Sequence, residues 1–186
     1  MSIIEALKMR EETLWLNPEK RDIALREKID GYGFVYVKAA QNRFMRFLPY
    51  LAKVFPETAA KKGVIESVIY ELPEMKKYLN ENGANLKGRL LLKDDAHLPI
   101  AGSVKARGGI HEVLKIAEQL TQKAKLLTPA DNYEAMDGPE FRELFSQYTI
   151  QVGSTGNLGI SIGRTAARMG FKVIVHMSCD AKDWKK

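Results

Sequence analysis

The sequence contains only one cysteine, Cys179. A single thiol excludes a framework of internal disulfides, so we expect a cytoplasmic protein in which Cys179 is a small, half-buried residue after a strand. No apolar run approaches the roughly 18 residues that a membrane-spanning helix requires. The first residues, MSIIEALKMREE, lack the apolar stretch and cleavage site of a signal peptide. We therefore expect no membrane association and no secretion.

Histidine is also scarce, and His97, His111 and His176 lie far apart in the sequence. This spacing lacks the close ligand pairs that are typical of zinc sites, so we expect no metal centre. We expect His176, at the end of a predicted strand, to be structural.

The net charge of +6 does not come from a basic patch. Lysine and arginine are mixed with acidic residues, as in PEKRDIALREKID, and the basic clusters AAKKG, EMKKY and DWKK are short. Aromatic and basic residues do not alternate as they do on surfaces that bind single-stranded nucleic acid. We expect a solvated surface and no nucleic-acid partner.

Residues 1–83 show helical patterns that proline and glycine interrupt. ALKMREETLWLNP carries Leu7, Leu14 and Leu16 before Asn17-Pro18 ends the pattern. RFMRFLPYLAKVFPETAA has apolar residues at helical spacing, with Pro49 and Pro56 as boundaries. These apolar residues are Phe44, Phe47, Leu48, Leu51 and Phe55. YGFVYV, from Tyr32 to Val37, predicts a short strand, so the region as a whole is predicted to be mainly helical.

From Leu86 onwards, predicted strands and helices alternate. The apolar run in GRLLLKDD predicts a strand buried on both faces of a parallel sheet. Apolar residues spaced three and four apart from Ile110 to Ala124 predict an amphipathic helix. YTIQVGS and FKVIVHM predict further strands, the second of them buried, and STGNLGISIGRTAARMG predicts a helix that ends at Gly170. SCDAKDWKK predicts the start of another helix, capped by Ser178 or Asp180.

Residues 125–146 interrupt this alternation with proline, glycine and acidic residues around a short helix, PEFRELF. We expect this segment to be a surface excursion. The order of elements predicts an α/β fold with a parallel sheet and flanking helices, preceded by the mainly helical region.

The stretch PIAGSVKARGGI places a lysine and two glycines where a helix begins. Ser103 is a candidate N-cap, which puts Lys105 in the first helical turn. The helix macrodipole disfavours a cation there by about 0.3–1 kcal/mol and so favours a neutral amine that can react. Gly108 and Gly109 each cost about 1 kcal/mol relative to alanine. Either a flat ligand packs against this backbone or the helix crosses a neighbouring element closely, and spacing leaves both open.

A second turn, VGSTGNLGIS, is rich in hydrogen-bond donors at another helix start, which suits a carboxylate or a phosphate. Its glycines follow G-x-x-G-x-x-G, not the dinucleotide pattern G-x-G-x-x-G, and the Gly-Lys-Ser/Thr of a P-loop is absent. The alternative is a tight turn in which Asn157 caps the helix. A lysine at one helix start and a Ser-Thr-Gly-Asn turn at a later one together favour pyridoxal phosphate chemistry.

The two turns resemble motifs of the fold-type II pyridoxal-phosphate enzymes: GSVKARGG their lysine motif, and STGNLG their asparagine loop. L-Serine and L-threonine dehydratases of this class usually have phenylalanine before the lysine and histidine after the asparagine, whereas this chain has Val104 and Leu158. These residues and LLLKDDAHLPIAGSVKARGGIHEVL, FSQYTIQVGSTGNLGISIG and FKVIVHMSCDAKDWKK resemble the bacterial D-serine dehydratases. LWLNP and PYLAKVFPETAA extend the resemblance through nearly the whole chain.

The resemblance implies a role for each matching residue. Lys105 is expected to bind pyridoxal 5'-phosphate as a Schiff base and, once released, to act as the base at Cα, with Val104 near the ring. Asn157 is expected to bind the 3′-oxygen of the cofactor. The substrate carboxylate is expected to bind to Ser154, Thr155, Gly156 and Asn157. Arg107 is interpreted as a structural ion-pair partner. The implied reaction is a lyase reaction, the β-elimination of D-serine, with D-threonine as a second substrate, to give pyruvate and ammonia from D-serine.

The family's glycine-rich phosphate loop and the hydroxyl residue at the pyridine nitrogen match no part of these 186 residues. We therefore expect an N-terminal portion that is inactive alone and that has the C-terminal part of the enzyme as its partner. By the same resemblance, residues 84–147 begin the large cofactor-binding domain and residues 148–186 the small α/β domain. The alternatives are an enzyme like the L-serine and L-threonine dehydratases, a non-catalytic fragment that lacks the phosphate loop, and a dinucleotide-binding module.

Overall fold

The computed structural model of the protein describes residues 2–20 and 33–183. Contacts divide the chain into two units, Met1–Lys38 and Ala39–Lys186. The domain boundaries predicted at 83/84 and 147/148 remain predictions.

The first unit begins with helix α1 (Ile3–Met9), which a capping box starts. The hydroxyl of Ser2 accepts a hydrogen bond from the Glu5 N–H, and the Glu5 carboxylate accepts one from the Ser2 N–H. Arg10, with φ of 58°, ends the helix. The helical pattern predicted as far as Leu16 is therefore wrong beyond Arg10, because Leu14 and Leu16 lie in an irregular segment and are exposed.

The predicted strand at YGFVYV is also wrong. Phe34–Val37 form the first turn of helix α2 (Phe34–Val54), and Tyr32 lies outside the described residues. A short apolar run has no period that separates strand from helix, which explains the error. Pro49 lies inside α2 and does not end it, whereas Pro56 does begin a new helix, α3 (Pro56–Ala59).

The second unit continues from α2 and α3 through two small sheets. Strands β1 (Val68–Glu71) and β2 (Leu91–Asp94), separated by helix α4 (Pro73–Glu81), pair antiparallel with Tyr70 opposite Leu92. Helix α5 (Lys105–Lys123), a 3-10 helix (Tyr133–Asp137) and helix α6 (Pro139–Ser146) follow. Strands β3 (Thr149–Gly153) and β4 (Lys172–His176) are parallel, and helix α7 (Asn157–Met169) connects them.

The strand at GRLLLKDD thus exists as β2, but its predicted environment is wrong. It belongs to an antiparallel ribbon of two strands, and Leu91 and Leu92, which point to opposite faces, are 46% and 45% exposed. Strand β4 is also half-exposed and not buried, with Ile174 44% exposed. Residues 179–181 form a turn and a bend, Asp183 adopts a 3-10 conformation, and the rest of the helix predicted there lies outside the described residues.

The core of the second unit lies between α2, α5, the 3-10 helix, α6 and α7. The predicted face of α5 is confirmed, since Ile110, Val113, Leu114 and Ala117 are buried. The surface excursion predicted for residues 125–146 is wrong, because the 3-10 helix and α6 supply large buried side chains to this core. These are Tyr133, Met136, Phe141 and Phe145. The acidic residues and glycine around them lie at the ends or on the surface of these two short helices, each of which buries only one side.

A buried ion cluster joins α2 to α5, and no sequence pattern predicted it. Glu118 is 3% exposed and accepts hydrogen bonds from Arg43 and Arg46, each at 2.7 Å, and from the Tyr133 hydroxyl at 2.8 Å. Burial raises the pKa of Glu118, but the hydrogen bonds from Arg43, Tyr133 and Arg46 outweigh it and leave that pKa below its ordinary value. The cluster therefore holds a carboxylate inside the fold.

Candidate active site

The segment that leads into α5 has an unusual backbone. Ile100 has φ of 76° and Gly102 has φ of 56°, so two residues within three adopt the left-handed region. For a β-branched residue such as Ile100 this costs about 1–3 kcal/mol and persists only when the surroundings hold it. The Ile100 side chain is buried in the core, and its carbonyl oxygen accepts a hydrogen bond from the guanidinium of Arg164.

Lys105 is the first residue of α5, as the sequence predicted. The N-cap position belongs to Val104, not to Ser103, and Val104 has no side-chain group that can cap. The Ser103 hydroxyl instead accepts a hydrogen bond from the Lys105 N–H at 3.2 Å. The Lys105 side chain is exposed and makes no ion pair or hydrogen bond with the described residues, so its amine is available to a ligand.

The two glycines of α5 have different surroundings. A methyl group on Gly109 would lie 2.5 Å from the Ser161 Oγ and 3.0 Å from the Leu158 Cδ1, both on α7. A methyl group on Gly108 would have no atom within 4 Å. Gly109 therefore allows two helices to cross closely. Gly108 lies one turn after Lys105 and Val104 and leaves the backbone open beside them.

The Ser-Thr-Gly-Asn turn is organised around Ser154. Its Oγ accepts hydrogen bonds from the N–H groups of Gly156 (3.2 Å) and Gly159 (3.0 Å), and its own N–H donates to the His176 carbonyl (2.9 Å). Asn157 is the first residue of α7 and does not cap it, so the capping role considered for it is wrong. Ser154 instead accepts hydrogen bonds from N–H groups at the start of α7. The sequence alone did not show which residue of this turn has that role.

The same turn leaves hydrogen-bonding groups unused. The side chains of Thr155 and Asn157 are exposed, and neither bonds to another described residue. The N–H groups of Thr155, Asn157 and Leu158 also have no partner among the described residues. Because this helix start follows the carboxyl end of β3, it is a favourable place for an anion. An open pocket of about 320 Å³ lies beside the turn, with Ser154, Gly156 and Arg164 in its lining.

Helix α5 packs closely on α7. Lys105 lies one helical turn before Gly109, and Asn157 immediately precedes Leu158, one of the α7 residues beside Gly109. We therefore expect the starts of α5 and α7 to lie near each other. An exposed amine, an open stretch of backbone at Gly108 and unpaired N–H groups fit a flat, anionic aldehyde cofactor together with a substrate carboxylate.

Other charged residues near these turns have structural roles. Hydrogen bonds from Lys93 and Ser67 lower the pKa of Asp95, and the positive charge of Arg107 acts in the same direction. Among the described residues, no ion pair of Arg107 is formed, so its interpretation as an ion-pair partner stays a prediction.

The three histidines contact different groups: His97 contacts Asp94, His111 contacts Arg43, and His176 contacts Gln151. Within residues 2–20 and 33–183, no group of histidine, cysteine and acidic side chains could hold a metal ion. In that part of the chain, no helix has the length and apolarity to cross a bilayer.

Comparison with known proteins identifies the family. Residues 71–186 match the family described as pyridoxal-phosphate dependent enzyme. The chain belongs to this family. The match extends from β1 to the last residue and includes both helix starts, so the family expected from GSVKARGG and STGNLG is confirmed, with pyridoxal phosphate as its cofactor.

Curated relatives named D-serine dehydratase are similar to this chain over nearly its whole length. The chain is 54% identical to the D-serine dehydratase of Citrobacter koseri, 53% to that of Escherichia coli O81 and 52% to that of Salmonella typhi. Each alignment runs over 185 residues and covers 99% of this chain but 42% of the relative. The chain thus spans less than half the length of these curated relatives, and the expected similarity to D-serine dehydratases is confirmed.

Proposed function

We propose that this chain is part of a D-serine dehydratase, a pyridoxal-phosphate dependent lyase that converts D-serine to pyruvate and ammonia. The observation that carries the proposal is the close packing of α5, which begins at Lys105, on α7, which begins at the end of the Ser-Thr-Gly-Asn turn. Its support from sequence is the identity of 52–54% with proteins of that name. The single cysteine agrees with a cytoplasmic location, which forms part of the proposal.

Lys105 is the proposed catalytic residue. Its exposed amine at a helix start would hold the cofactor covalently and would then move the proton of the substrate Cα. When bound, pyridoxal phosphate supplies an acceptor for the electron pair that this proton leaves behind. Val104 and Gly108, exposed on the same side of α5, would border the ring.

The turn at the start of α7 is the proposed binding site for the substrate carboxylate. We assign Ser154, Thr155, Gly156 and Asn157 to this loop, and Asn157 also to the 3′-oxygen of the cofactor. The Ser154 hydroxyl already accepts two N–H groups, so Ser154 acts by shaping the turn. The unpaired N–H groups and the Thr155 hydroxyl would contact the carboxylate directly.

The proposed reaction balances without a further reagent. The Cα–H bond and the Cβ–O bond of D-serine break, and water leaves. The enamine product then takes up water to give pyruvate and ammonia. D-Threonine, which carries one more methyl group at Cβ, is the proposed second substrate.

A C-terminal portion of the enzyme is the proposed partner. The chain spans 42% of its relatives, and no adjacent glycine pair other than Gly108-Gly109 is available to bind the cofactor phosphate. The β1–β2 ribbon exposes apolar side chains on both faces, including Ile69, Tyr70, Leu91 and Leu92, which is unusual for a surface in contact with water alone.

The test uses the complete polypeptide, made by joining this chain to the C-terminal portion of the Citrobacter koseri relative. Pyruvate release is measured with D-serine and with L-serine, and we expect activity with the D-enantiomer. Release from L-serine alone would favour an L-serine dehydratase instead, and the absence of visible cofactor absorbance would favour a non-catalytic fragment.

A matched pair of variants tests Lys105 in the same protein. We expect Lys105→Ala to abolish both the visible absorbance and the turnover. Lys115→Ala is the control, because Lys115 is a half-exposed lysine of the same helix whose ion pair among the described residues is with Glu112. Full activity in Lys105→Ala would overturn the assignment of Lys105.

A further inference from the structure

We infer that Arg164 is a positioning residue for Lys105: from α7 it holds the left-handed segment of backbone that delivers Lys105 to the start of α5. This inference depends on the proposed function in one respect: it takes Lys105 to be the residue that reacts with the cofactor. The contact itself is a feature of the fold, because one guanidinium nitrogen of Arg164 donates a hydrogen bond to the Ile100 carbonyl oxygen.

The segment between β2 and α5 is a run of turns with its own backbone hydrogen bonds. Its internal backbone hydrogen bonds include Ala101 N–H to the Pro99 carbonyl (3.0 Å) and Gly102 N–H to the Leu98 carbonyl (2.9 Å). Ile100 nevertheless adopts φ of 76°, which an isoleucine avoids unless outside contacts hold it. Burial of the Ile100 side chain is one such contact, and Arg164 is the polar one.

Arg164 is itself anchored at its other nitrogen. The second guanidinium nitrogen lies 3.2 Å from a carboxylate oxygen of Glu57 at the start of α3. The guanidinium therefore bridges a carboxylate and a carbonyl oxygen. Its planar group points its N–H donors in two fixed directions, and a lysine ammonium cannot reproduce this geometry. A solvent-exposed pair with Glu57 alone would contribute little, so the bond to the buried Ile100 backbone gives the contact its importance.

The position of Arg164 in α7 connects the two halves of the candidate active site. Arg164 lies seven residues after Asn157, which is two helical turns, and so moves with the helix that carries the carboxylate loop. Lys105 lies five residues after Ile100. The Arg164–Ile100 bond thus sets the Lys105 segment relative to the asparagine loop, in addition to the crossing at Gly109.

Hydrogen exchange at individual amides tests this role in the 186-residue chain without cofactor. In Arg164→Gln, we expect exchange at Ala101 and Gly102 to accelerate by roughly tenfold or more, because a charged hydrogen bond to a buried carbonyl is lost. Arg168→Gln is the matched control: Arg168 lies one turn further along α7 and pairs with Asp137 at 3.4 Å. It should leave Ala101 and Gly102 unchanged.

Further variants separate positioning from general stability. Arg164→Lys should restore less than half of the lost protection, because a lysine cannot bridge both partners. If Arg164→Gln does not fold, Glu57→Gln serves instead, and a smaller acceleration confined to the same amides is expected. Unchanged exchange at Gly102 in these variants, or an equal effect in Arg168→Gln, would overturn the inference.

A second readout follows the amine directly. The chain is treated with pyridoxal phosphate and cyanoborohydride, and labelling of Lys105 relative to Lys115 is measured by peptide mass spectrometry. We expect Lys105 to be labelled faster than Lys115 in the parent chain, and the ratio to fall toward one in Arg164→Gln but not in Arg168→Gln. The two proposals can fail separately. If Arg164→Gln accelerates exchange at Ala101 and Gly102 but the complete enzyme keeps its turnover in Lys105→Ala, the proposed function is rejected and the role of Arg164 in holding the backbone stands.

Discussion

Gly109 of α5 lies close against Ser161 of α7: a methyl group at position 109 would come within 2.5 Å of the Ser161 Oγ. Ser161 is fully buried and donates its own hydrogen bond to the Leu158 carbonyl, so it has little freedom to move away. This contact fixes the packing of α5, which begins at Lys105, on α7, which begins in the asparagine loop.

The glycine pair offers a direct comparison. Gly109→Ala should lower the free energy of unfolding by about 1–3 kcal/mol, because it overpacks the helix crossing. Gly108→Ala should raise it by about 0.5–1 kcal/mol, because alanine favours the helix and meets no neighbour. Urea unfolding of both variants checks this. Equal effects at the two positions would contradict the assignment of Gly109 to the crossing.

Gly108→Ala also tests whether a ligand packs against the open backbone. In the complete enzyme, we expect this variant to fold normally but to bind pyridoxal phosphate more weakly than the parent. The measurement is the visible absorbance at a series of cofactor concentrations. Unchanged affinity would show that the openness at Gly108 does not serve the cofactor.

Variants of Ser154 and Thr155 should distinguish a residue that stabilises the fold from one that binds the ligand. Ser154→Ala removes the acceptor for two N–H groups at the start of α7 and should cost about 1 kcal/mol of unfolding free energy, measured by urea unfolding. Thr155→Ala should leave that free energy unchanged within about 0.3 kcal/mol, since an exposed side chain without partners is removed. In the complete enzyme, Thr155→Ala should instead raise KM for D-serine. A large loss of stability in Thr155→Ala would contradict this division of roles.

The buried ion cluster should dominate the stability of the α2–α5 contact. Glu118→Gln leaves Arg43 and Arg46 without their carboxylate and should cost about 3 kcal/mol in urea unfolding. Glu112→Gln on the same helix is the control, because its exposed pair with Lys115 should contribute no more than about 0.5 kcal/mol. If both variants lost the same small amount, the cluster would not be a main support of this contact.

His111 should give the fold a defined dependence on pH. Burial, and then the positive charge of Arg43, lower the pKa of His111 from its ordinary value of 6.5, while Lys115 lowers it further and Glu112 and Glu118 raise it by smaller amounts. The unfolded chain therefore binds a proton more readily than the folded one. The free energy of unfolding should fall as the pH drops below about 6.5 and be fully retained above it.

The measurement compares urea midpoints of the parent and of His111→Gln between about pH 7.5 and pH 5. We expect the parent to lose more stability than the variant over this range, because glutamine has no proton to gain. A variant with the same slope as the parent would assign the pH dependence to other groups.

Local chemistry in the sequence was sufficient to predict the helices and the strand that carry the candidate site. The spacing of apolar residues predicted α5 and β3, because each carries a clear period, and the small polar residues at its start predicted α7. Gly170 was correctly predicted to end α7, since its φ of 106° suits glycine. The combination of GSVKARGG with STGNLG predicted the family that the comparisons confirm.

The surroundings of an element were predicted less well where its packing partners lie far away in the sequence. The apolar run of β2 reads as a buried parallel strand, yet β2 pairs with β1 in an exposed antiparallel ribbon. The segment around the 3-10 helix reads as a surface loop, yet Tyr133 reaches the core and the carboxylate of Glu118. A linear pattern records which residues are apolar and does not record which partner, if any, covers them.

The sequence by itself thus determined the lysine at the start of α5, the donor-rich turn before α7 and the family, because these depend on residue types at short spacing. Only the tertiary structure decided that Gly109 serves a helix crossing while Gly108 lies open, that Ser154 and not Asn157 satisfies the start of α7, and that Arg164 reaches the carbonyl of Ile100. The physical reason is that each of these roles is a distance between atoms on separate elements, and such distances are set by packing.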